Sequence, residues 1–248
     1  MQEKESAFAD GKTRTALILA SASPRRQELI ALLGLPFSIV PSRYEEPTPP
    51  TSPIDLPAFV TTLAMNKGLE VAQRKQAELA MGTLIVGADT LVTVADADIG
   101  VPLGKPRNAE EARQMLRQLS GRTHRVYTGI AVIAGGAFSE QTQHNNDLYS
   151  SQTSIQPDAF SDRSPQHGLV LKSAAVCTRV RFRAMSDLMI ANYVATGEPM
   201  DKAGSYGAQG YAAPFIESFE GDFFNVVGLP LCILGQMLES MGVCWGTE

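Results

Sequence analysis

The sequence predicts an α/β fold, because short apolar segments of strand length alternate with amphipathic helical segments along most of its 248 residues. Hydrophobic residues make up 44% of the chain, enough for a sizeable core, and the length suits one large domain or two small ones. We expect a flexible tail at 1–15 and a single domain at 16–245. The first unit is a strand, ALILA at 16–20, followed by a helix with Ser23 as N-cap and Pro24 as its first residue.

The next segments predict a loop, a helix and a buried strand. Six prolines between 41 and 57 are incompatible with regular structure and indicate an ordered loop. Asp55 is expected to cap the helix that follows, and spacings of three and four place Lys67 on its otherwise apolar face. The continuous β-branched run TLIVGADTLVTV predicts a buried strand whose end carries Asp89. The helix after Ser23 is expected to bury a face made of Leu29, Ile30, Leu32 and Leu33.

The second half of the chain repeats this pattern around one insertion. Asn108 and Glu111 predict a capping box for a helix that stops near Gly121, and strands follow at 124–134 and 174–184. The polar segment between them, at about 135–168, has no sustained period and is expected to be an inserted, mobile loop. A helix capped by Ser186, a glycine-punctuated loop at 201–210 and a packing helix within 229–241 complete the chain.

The overall charge excludes some function classes. With a net charge of -5, the chain has no global basic character for binding a nucleic acid polymer or an anionic membrane, so any polyanion must meet a local basic site. No apolar run reaches about 18 residues, so no membrane span is expected. The N-terminus lacks the apolar core of a secretory signal, and we expect a cytoplasmic protein.

The cysteines and histidines do not predict a metal or disulfide site. Three scattered cysteines without CxxC spacing argue against a disulfide framework and a zinc site and favour a reducing compartment. The three histidines are not at ligand spacing. These residues are Cys177, Cys232, Cys244, His124, His144 and His167.

A candidate anion site lies at the start of the first helix. Arg25 and Arg26 fall in its first turn, where the helix dipole disfavours cations unless an anion binds there too. Ser21 and Ser23 add hydroxyl donors in the same short loop, which suits a phosphate-bearing ligand. The alternative is a capped helix with solvated arginines.

Acids and lysines elsewhere could complete a phosphate site. Glu45 and Glu46, if paired with Asp89, would hold Mg²⁺ or Mn²⁺ against phosphate oxygens; the alternative is that they are two solvated loop acids. Lys67 is either a cleft cation or a lysine that extends from an apolar face to solvent. Lys105 follows a glycine, but the segment lacks the other residues of a Walker A loop. Gly87 stands where an aspartyl phosphatase would carry its nucleophile, which argues against a covalent aspartyl mechanism.

Seven segments of the chain form an ordered series: LASASPRRQEL, YEEP, LAMNKG, VGADTLV, GKPRNAEEARQMLRQLSGRTHRVYTG, DKAGSYGAQG and FNVVGLPL. This series resembles the motifs of the Maf family of nucleoside triphosphate pyrophosphatases from about Leu17 to Met241, with a break at the insertion. The resemblance implies a fold related to inosine triphosphatase, with a mixed elongated sheet, flanking helices, a cleft between two lobes and often a homodimer. It also implies cleavage between the α and β phosphates with a divalent cation, Mg²⁺ or Mn²⁺.

The resemblance also implies residue roles. Asp89 would be the catalytic carboxylate, as general base on water or as metal ligand, and Glu46 a second metal ligand. Five residues match positions that line the phosphate site: Ser21, Ser23, Arg26, Lys67 and Lys105. The AMNKG sequence departs from the family pattern on both sides of Lys67, and the 135–168 insertion has no counterpart in it.

Three positions resemble the branch of the family that prefers dTTP and UTP, namely Arg25, Thr90 and Gln209. We therefore expect dTTP and UTP as substrates, with CTP and modified pyrimidine nucleotides as further candidates. The alternatives are the sister branch, which acts on 7-methyl-GTP, and a non-catalytic, nucleotide-binding regulator of cell division.

Overall fold

A computed structural model describes residues 15–135, 161–163 and 168–243. The seven strands of its main sheet are β1 (Leu17–Leu19), β2 (Phe37–Ile39), β4 (Leu84–Thr93), β6 (Thr123–Gly135), β7 (Ser161–Arg163), β8 (Leu169–Phe182) and β9 (Ile216–Glu220). Their order across the sheet is β2-β1-β4-β6-β8-β7, with β9 also paired to β8. A separate pair consists of β3 (Ile54–Asp55) and β5 (Ile99–Gly100).

The sheet is mixed, as the sequence resemblance predicts. Strand β1 runs parallel to β2 and β4, whereas β4, β6, β8 and their remaining partners pair antiparallel. The described helices are α1 (Pro24–Ala31), α2 (Leu56–Arg74), α3 (Gln76–Ala80), α4 (Ala109–Leu119), α5 (Asp187–Ala195), α6 (Phe223–Val227) and α7 (Leu231–Glu239).

Helices cover both faces of the sheet and define two lobes. Along β4, Leu84 and Val86 share a core with α1 and α7, while Ile85 shares the opposite core with α2. Another core joins α4 and α5 to the far ends of β6 and β8. One lobe contains the two cores on α1, α2 and α7, and the other contains the core on α4 and α5. The α/β prediction with a cleft between two lobes is confirmed, because residues of both lobes line a large cleft.

Most predicted helix caps form as expected. Asp55, Asn108 and Ser186 each accept a hydrogen bond from a backbone N–H three residues ahead. Ser23 is the N-cap residue of α1, but its side chain makes no capping hydrogen bond. The prediction for Leu32 is wrong: its side chain is 65% exposed, because it caps the end of α1 on the outer side, whereas Leu29, Ile30 and Leu33 are buried as predicted.

Two sequence predictions fall mainly outside the described residues. These are the flexible tail, at 1–14, and the inserted loop, at 136–160 and 164–167. Within that predicted loop, however, Ser161–Arg163 forms β7 and pairs with β8. In the described ranges, no helix combines the length and hydrophobicity needed to cross a membrane.

Glycines allow α2 to lie directly on the sheet. A Cβ at Gly87 would overlap the carbonyl oxygen of Ala64 on α2, and one at Gly129 would overlap the carbonyl of Val60. Because side chains alternate along a strand, Gly87 and Asp89 face the same side of β4. The close approach at Gly87 therefore brings α2, which carries Lys67, within reach of Asp89.

Replacing Gly87 with alanine should destabilise the protein by about 3 kcal/mol, near the upper end for overpacked cores, because only backbone can move to admit the new methyl group. The free energy of unfolding in urea measures the effect. An unchanged free energy would show that α2 does not depend on this contact.

Candidate active site

The cleft has a volume of about 1000 Å³. Its main lining segments are the β1–α1 loop, the Pro-rich loop, one face of α2, the middle of β4, residues 102–105, residues 201–206 and the end of α6. Strand β1 is parallel to β4 and ends beside Val86, whereas β4 continues past Val86. The start of α1, which follows β1, therefore lies next to this continuation of β4. This placement agrees with the general location of ligand sites in α/β sheets.

Asp89 lies in the middle of β4, so the prediction that it ends the strand is wrong. Strand β4 extends to Thr93 because its antiparallel pairing with β6 continues through that residue. Asp89 is nevertheless beyond the end of β1, where the parallel neighbour no longer covers it. Its side chain is 13% exposed and reaches the cleft.

Lys67 joins the two predicted metal ligands. Its Nζ lies 2.5 Å from Asp89 Oδ1 and 2.6 Å from Glu46 Oε1. Burial raises the pKa of the Glu46 carboxyl, but the hydrogen bond and charge of Lys67 outweigh it and hold that pKa below its ordinary value. Lys67 therefore points into the cleft, and both carboxylates lie beside one cation.

Arg26 is fixed by three neutral acceptors. It donates from Nε to the Gly228 carbonyl at 2.8 Å, from Nη1 to Ser21 Oγ at 3.3 Å and from Nη2 to Thr90 Oγ1 at 3.0 Å. Burial lowers the pKa of its guanidinium, and the charge of Asp89 opposes that change. Among the described residues no carboxylate forms an ion pair with Arg26, so its charge remains available to an anion in the cleft.

A buried hydrogen-bond chain holds Thr90 behind Arg26. Thr128 Oγ1 donates to the Asn225 carbonyl at 2.8 Å, and it lies 3.0 Å from Thr90 Oγ1. Since a hydroxyl has one proton, Thr90 must donate to Thr128 while it accepts from Arg26. The Thr90 hydroxyl thus orients Arg26, and its contact with a nucleotide base stays a prediction.

The remaining predicted phosphate ligands also line the cleft. Ser21 Oγ accepts hydrogen bonds from Arg26 and from the Ser23 N–H, which leaves its own proton free to donate to a ligand. Arg25 and Lys105 line the cleft and have no acidic partner within 4.0 Å among the residues that the structure describes. Ser23 also lines the cleft.

The lining of the cleft is cationic although the whole chain is acidic. Five cations and three carboxylates belong to its described lining. The cations are Arg25, Arg26, Lys67, Lys105 and Lys202, and the carboxylates are Glu46, Asp89 and Asp201. A local cationic surplus in a chain of net charge -5 indicates an anionic ligand.

Gln209 and Glu45 are not part of this lining. Both residues are exposed, Gln209 on the 201–210 loop and Glu45 on the Pro-rich loop. A role for Gln209 in substrate choice stays a prediction.

Several residues of the cleft are not among the site residues predicted from the sequence. Tyr44 accepts a hydrogen bond from Asn66 Nδ2 at 3.0 Å, and Lys202 donates to Asp201 at 2.7 Å and to the Glu198 carbonyl at 2.8 Å. The sequence signal for Tyr44 and Lys202 was their place in the motif series: Tyr44 lies in YEEP and Lys202 in DKAGSYGAQG. Tyr206 also lines the cleft.

The described histidine lies behind Tyr206. His124 Nε2 is 2.7 Å from the Tyr206 hydroxyl, and burial lowers the His124 pKa to about 3. The ring is therefore neutral at physiological pH and acts as packing and hydrogen-bond support. No cluster of three or more histidine, cysteine or acidic residues suited to a metal occurs in the described part of the chain.

Comparisons with known proteins agree with the geometry. The chain is 40% identical over 235 residues to a dTTP/UTP pyrophosphatase of Moorella thermoacetica, covering 93% of this chain and 97% of that protein. It is 40% identical over 223 residues to a dTTP/UTP pyrophosphatase of Thermococcus onnurineus, covering 90% and 96%. The family model described as "Maf-like protein" matches residues 16–241, and the chain therefore belongs to the Maf family.

Proposed function

We propose that the protein hydrolyses dTTP and UTP between the α and β phosphates, which yields the nucleoside monophosphate and pyrophosphate. The observation that carries this proposal is the cationic surplus around Asp89 in a cleft of about 1000 Å³, large enough for a nucleotide. The names of the two relatives support the choice of dTTP and UTP.

In the proposed complex the triphosphate lies along the β1–α1 loop. Ser21 and Ser23 donate hydrogen bonds to its oxygens, and Arg26 and Lys105 neutralise its charge. Since Arg26 is already held by three acceptors, little reorganisation is needed when the phosphates bind. Asp89 accepts a proton from the water that attacks the α phosphate in line, a step worth about 10²- to 10⁴-fold in rate.

A divalent cation fits two of the residues in this site. Asp89 and Glu46 present hard carboxylate oxygens that approach one Lys67 Nζ, and such oxygens suit Mg²⁺ or Mn²⁺. When bound, the cation would supply charge stabilisation at the phosphate oxygens. Lys67 would then turn toward the phosphates.

Substrate choice is expected to depend on Arg25 and Gln209. Arg25→Ala and Gln209→Ala should each change the ranking of dTTP, UTP, CTP, GTP and 7-methyl-GTP more than the rate on the best substrate, by roughly 10-fold in relative kcat/KM. Pyrophosphate release across this panel is the measurement. An unchanged ranking in both variants would refute the assignment, and turnover of 7-methyl-GTP alone would favour the sister branch.

We also propose a cytoplasmic location. Cys177 and Cys232 are free and exposed, as is usual for proteins of a reducing compartment. The homodimer expected from the resemblance stays a prediction.

A further inference from the structure

The Pro-rich loop at 41–49 forms a wall of the cleft, although hydrogen bonds between backbone groups do not hold it in place. Seven of its nine residues line the cleft, among them Tyr44 and Glu46. Its residues belong to no helix or strand, and in the described chain no backbone-to-backbone hydrogen bond involves them. Side-chain contacts must therefore fix its position, because an unrestrained loop carries a large conformational entropy.

One helix provides those contacts. Glu70 Oε2 accepts hydrogen bonds from Ser42 Oγ at 3.1 Å and from the Arg43 N–H at 2.9 Å. Arg74, one turn later on α2, donates to the Pro41 carbonyl at 2.9 Å. The start of the loop is thus bound to the side chains of Glu70 and Arg74.

Glu70 and Arg74 also bind each other through two hydrogen bonds. Arg74 Nε lies 2.6 Å from Glu70 Oε1, and Nη2 lies 2.9 Å from Oε2. The hydrogen bond from Arg74 is the main reason why the pKa of Glu70 falls to about 2. Glu70 is therefore ionised at physiological pH and remains an acceptor for the loop.

The same helix carries the residues that meet the loop farther along. Asn66 binds Tyr44, and Lys67 binds Glu46, whose side chain is 49% exposed. Side chains three and four residues apart lie on one helix face, so Lys67, Glu70 and Arg74 form a continuous row. Glu70 and Arg74 thus bind the beginning of the loop, and Lys67 on the same helix face binds Glu46 farther along it.

We propose that Glu70 and Arg74 are positioning residues that set the location of Glu46 beside Lys67 and Asp89. This inference rests on the proposed pyrophosphatase function for its kinetic effect. The ordering of the loop itself does not depend on that function. Neither residue lines the cleft, so neither touches the substrate in the proposed complex.

The test combines kinetics on dTTP with hydrogen–deuterium exchange of the 41–49 segment. Glu70→Ala should accelerate exchange in this segment and lower kcat/KM about 10- to 100-fold, the range expected for a misplaced group. Glu70→Gln should restore part of the activity, because its amide oxygen still accepts hydrogen bonds. Glu78→Ala, which breaks the Lys75–Glu78 ion pair on the neighbouring helix, is the control and should change neither quantity.

A double-mutant cycle with Glu46→Gln distinguishes positioning from general destabilisation. If Glu70 acts through Glu46, the Glu70→Ala change should have a much smaller effect on kcat/KM in the Glu46→Gln background. Full additivity would contradict the proposal, as would wild-type exchange in Glu70→Ala. If Glu70→Ala does not fold, Glu70→Gln and Ser42→Ala enter the same cycle. Failure of the wild-type protein to hydrolyse dTTP would overturn the proposed function, whereas the exchange measurement would still test the loop contact.

Discussion

Replacing Asp89 with asparagine is expected to lower kcat for dTTP by about 10²- to 10⁴-fold while the protein stays folded. Asparagine has nearly the same size and its oxygen can still accept a hydrogen bond from Lys67. It cannot take a proton from water at neutral pH, and it is a weaker ligand for a divalent cation. Pyrophosphate release under saturating dTTP measures the loss, and circular dichroism checks the fold.

The matched control for this prediction is Asp96→Asn. Asp96 is also an acid in an ion pair, with Arg125, but its side chain is 77% exposed and it does not line the cleft. Its replacement should leave kcat within about twofold, since exposed ion pairs contribute little. An active Asp89→Asn enzyme would remove Asp89 from the mechanism.

Replacing Lys67 with methionine is expected to lower kcat/KM for dTTP by about 10²-fold or more. The change removes the cation that lies between Asp89 and Glu46 and leaves two carboxylates facing the same triphosphate. The loss of attraction and the remaining repulsion both oppose binding of a polyanion. Lys75→Met is the control, because Lys75 forms its ion pair with Glu78 outside the cleft.

The Lys67 variant should also respond differently to pH. Lys67 holds the pKa of Glu46 below its ordinary value, so the Glu46 carboxylate persists to lower pH in the wild type. Without Lys67 that pKa rises, and the acid limb of the pH–rate profile should move to higher pH. An acid limb at the wild-type position would show that Glu46 ionisation does not control the rate.

Local sequence signals predicted the elements that depend on neighbouring residues. Caps at Asp55 and Asn108 follow from side chains that bind backbone groups three residues away, so a short stretch contains all the needed information. The position of Asp89 within β4 does not follow from a short stretch of sequence. The length of β4 depends on pairing with β6, about 40 residues later along the chain. The contrast explains why the strand was predicted but its end was misplaced.

The site was predicted in part for the same reason. The dipole argument at Arg25 and Arg26 is local, and the structure places both arginines at the cleft. The fixation of Arg26 by Gly228 and Thr90 joins segments up to 202 residues apart, which no local pattern reveals. The contacts of Glu70 with the Pro-rich loop likewise join a helix to a segment without periodicity, so only the folded chain displays them.

The most direct test of the account is ³¹P NMR of the products that the purified protein forms from dTTP, with Mg²⁺ or Mn²⁺ present and Asp89→Asn measured in parallel. We predict equal amounts of dTMP and pyrophosphate from the wild type and almost none from the variant. Formation of dTDP and orthophosphate would contradict cleavage between the α and β phosphates. Nucleotide binding without any product would instead support the non-catalytic regulator.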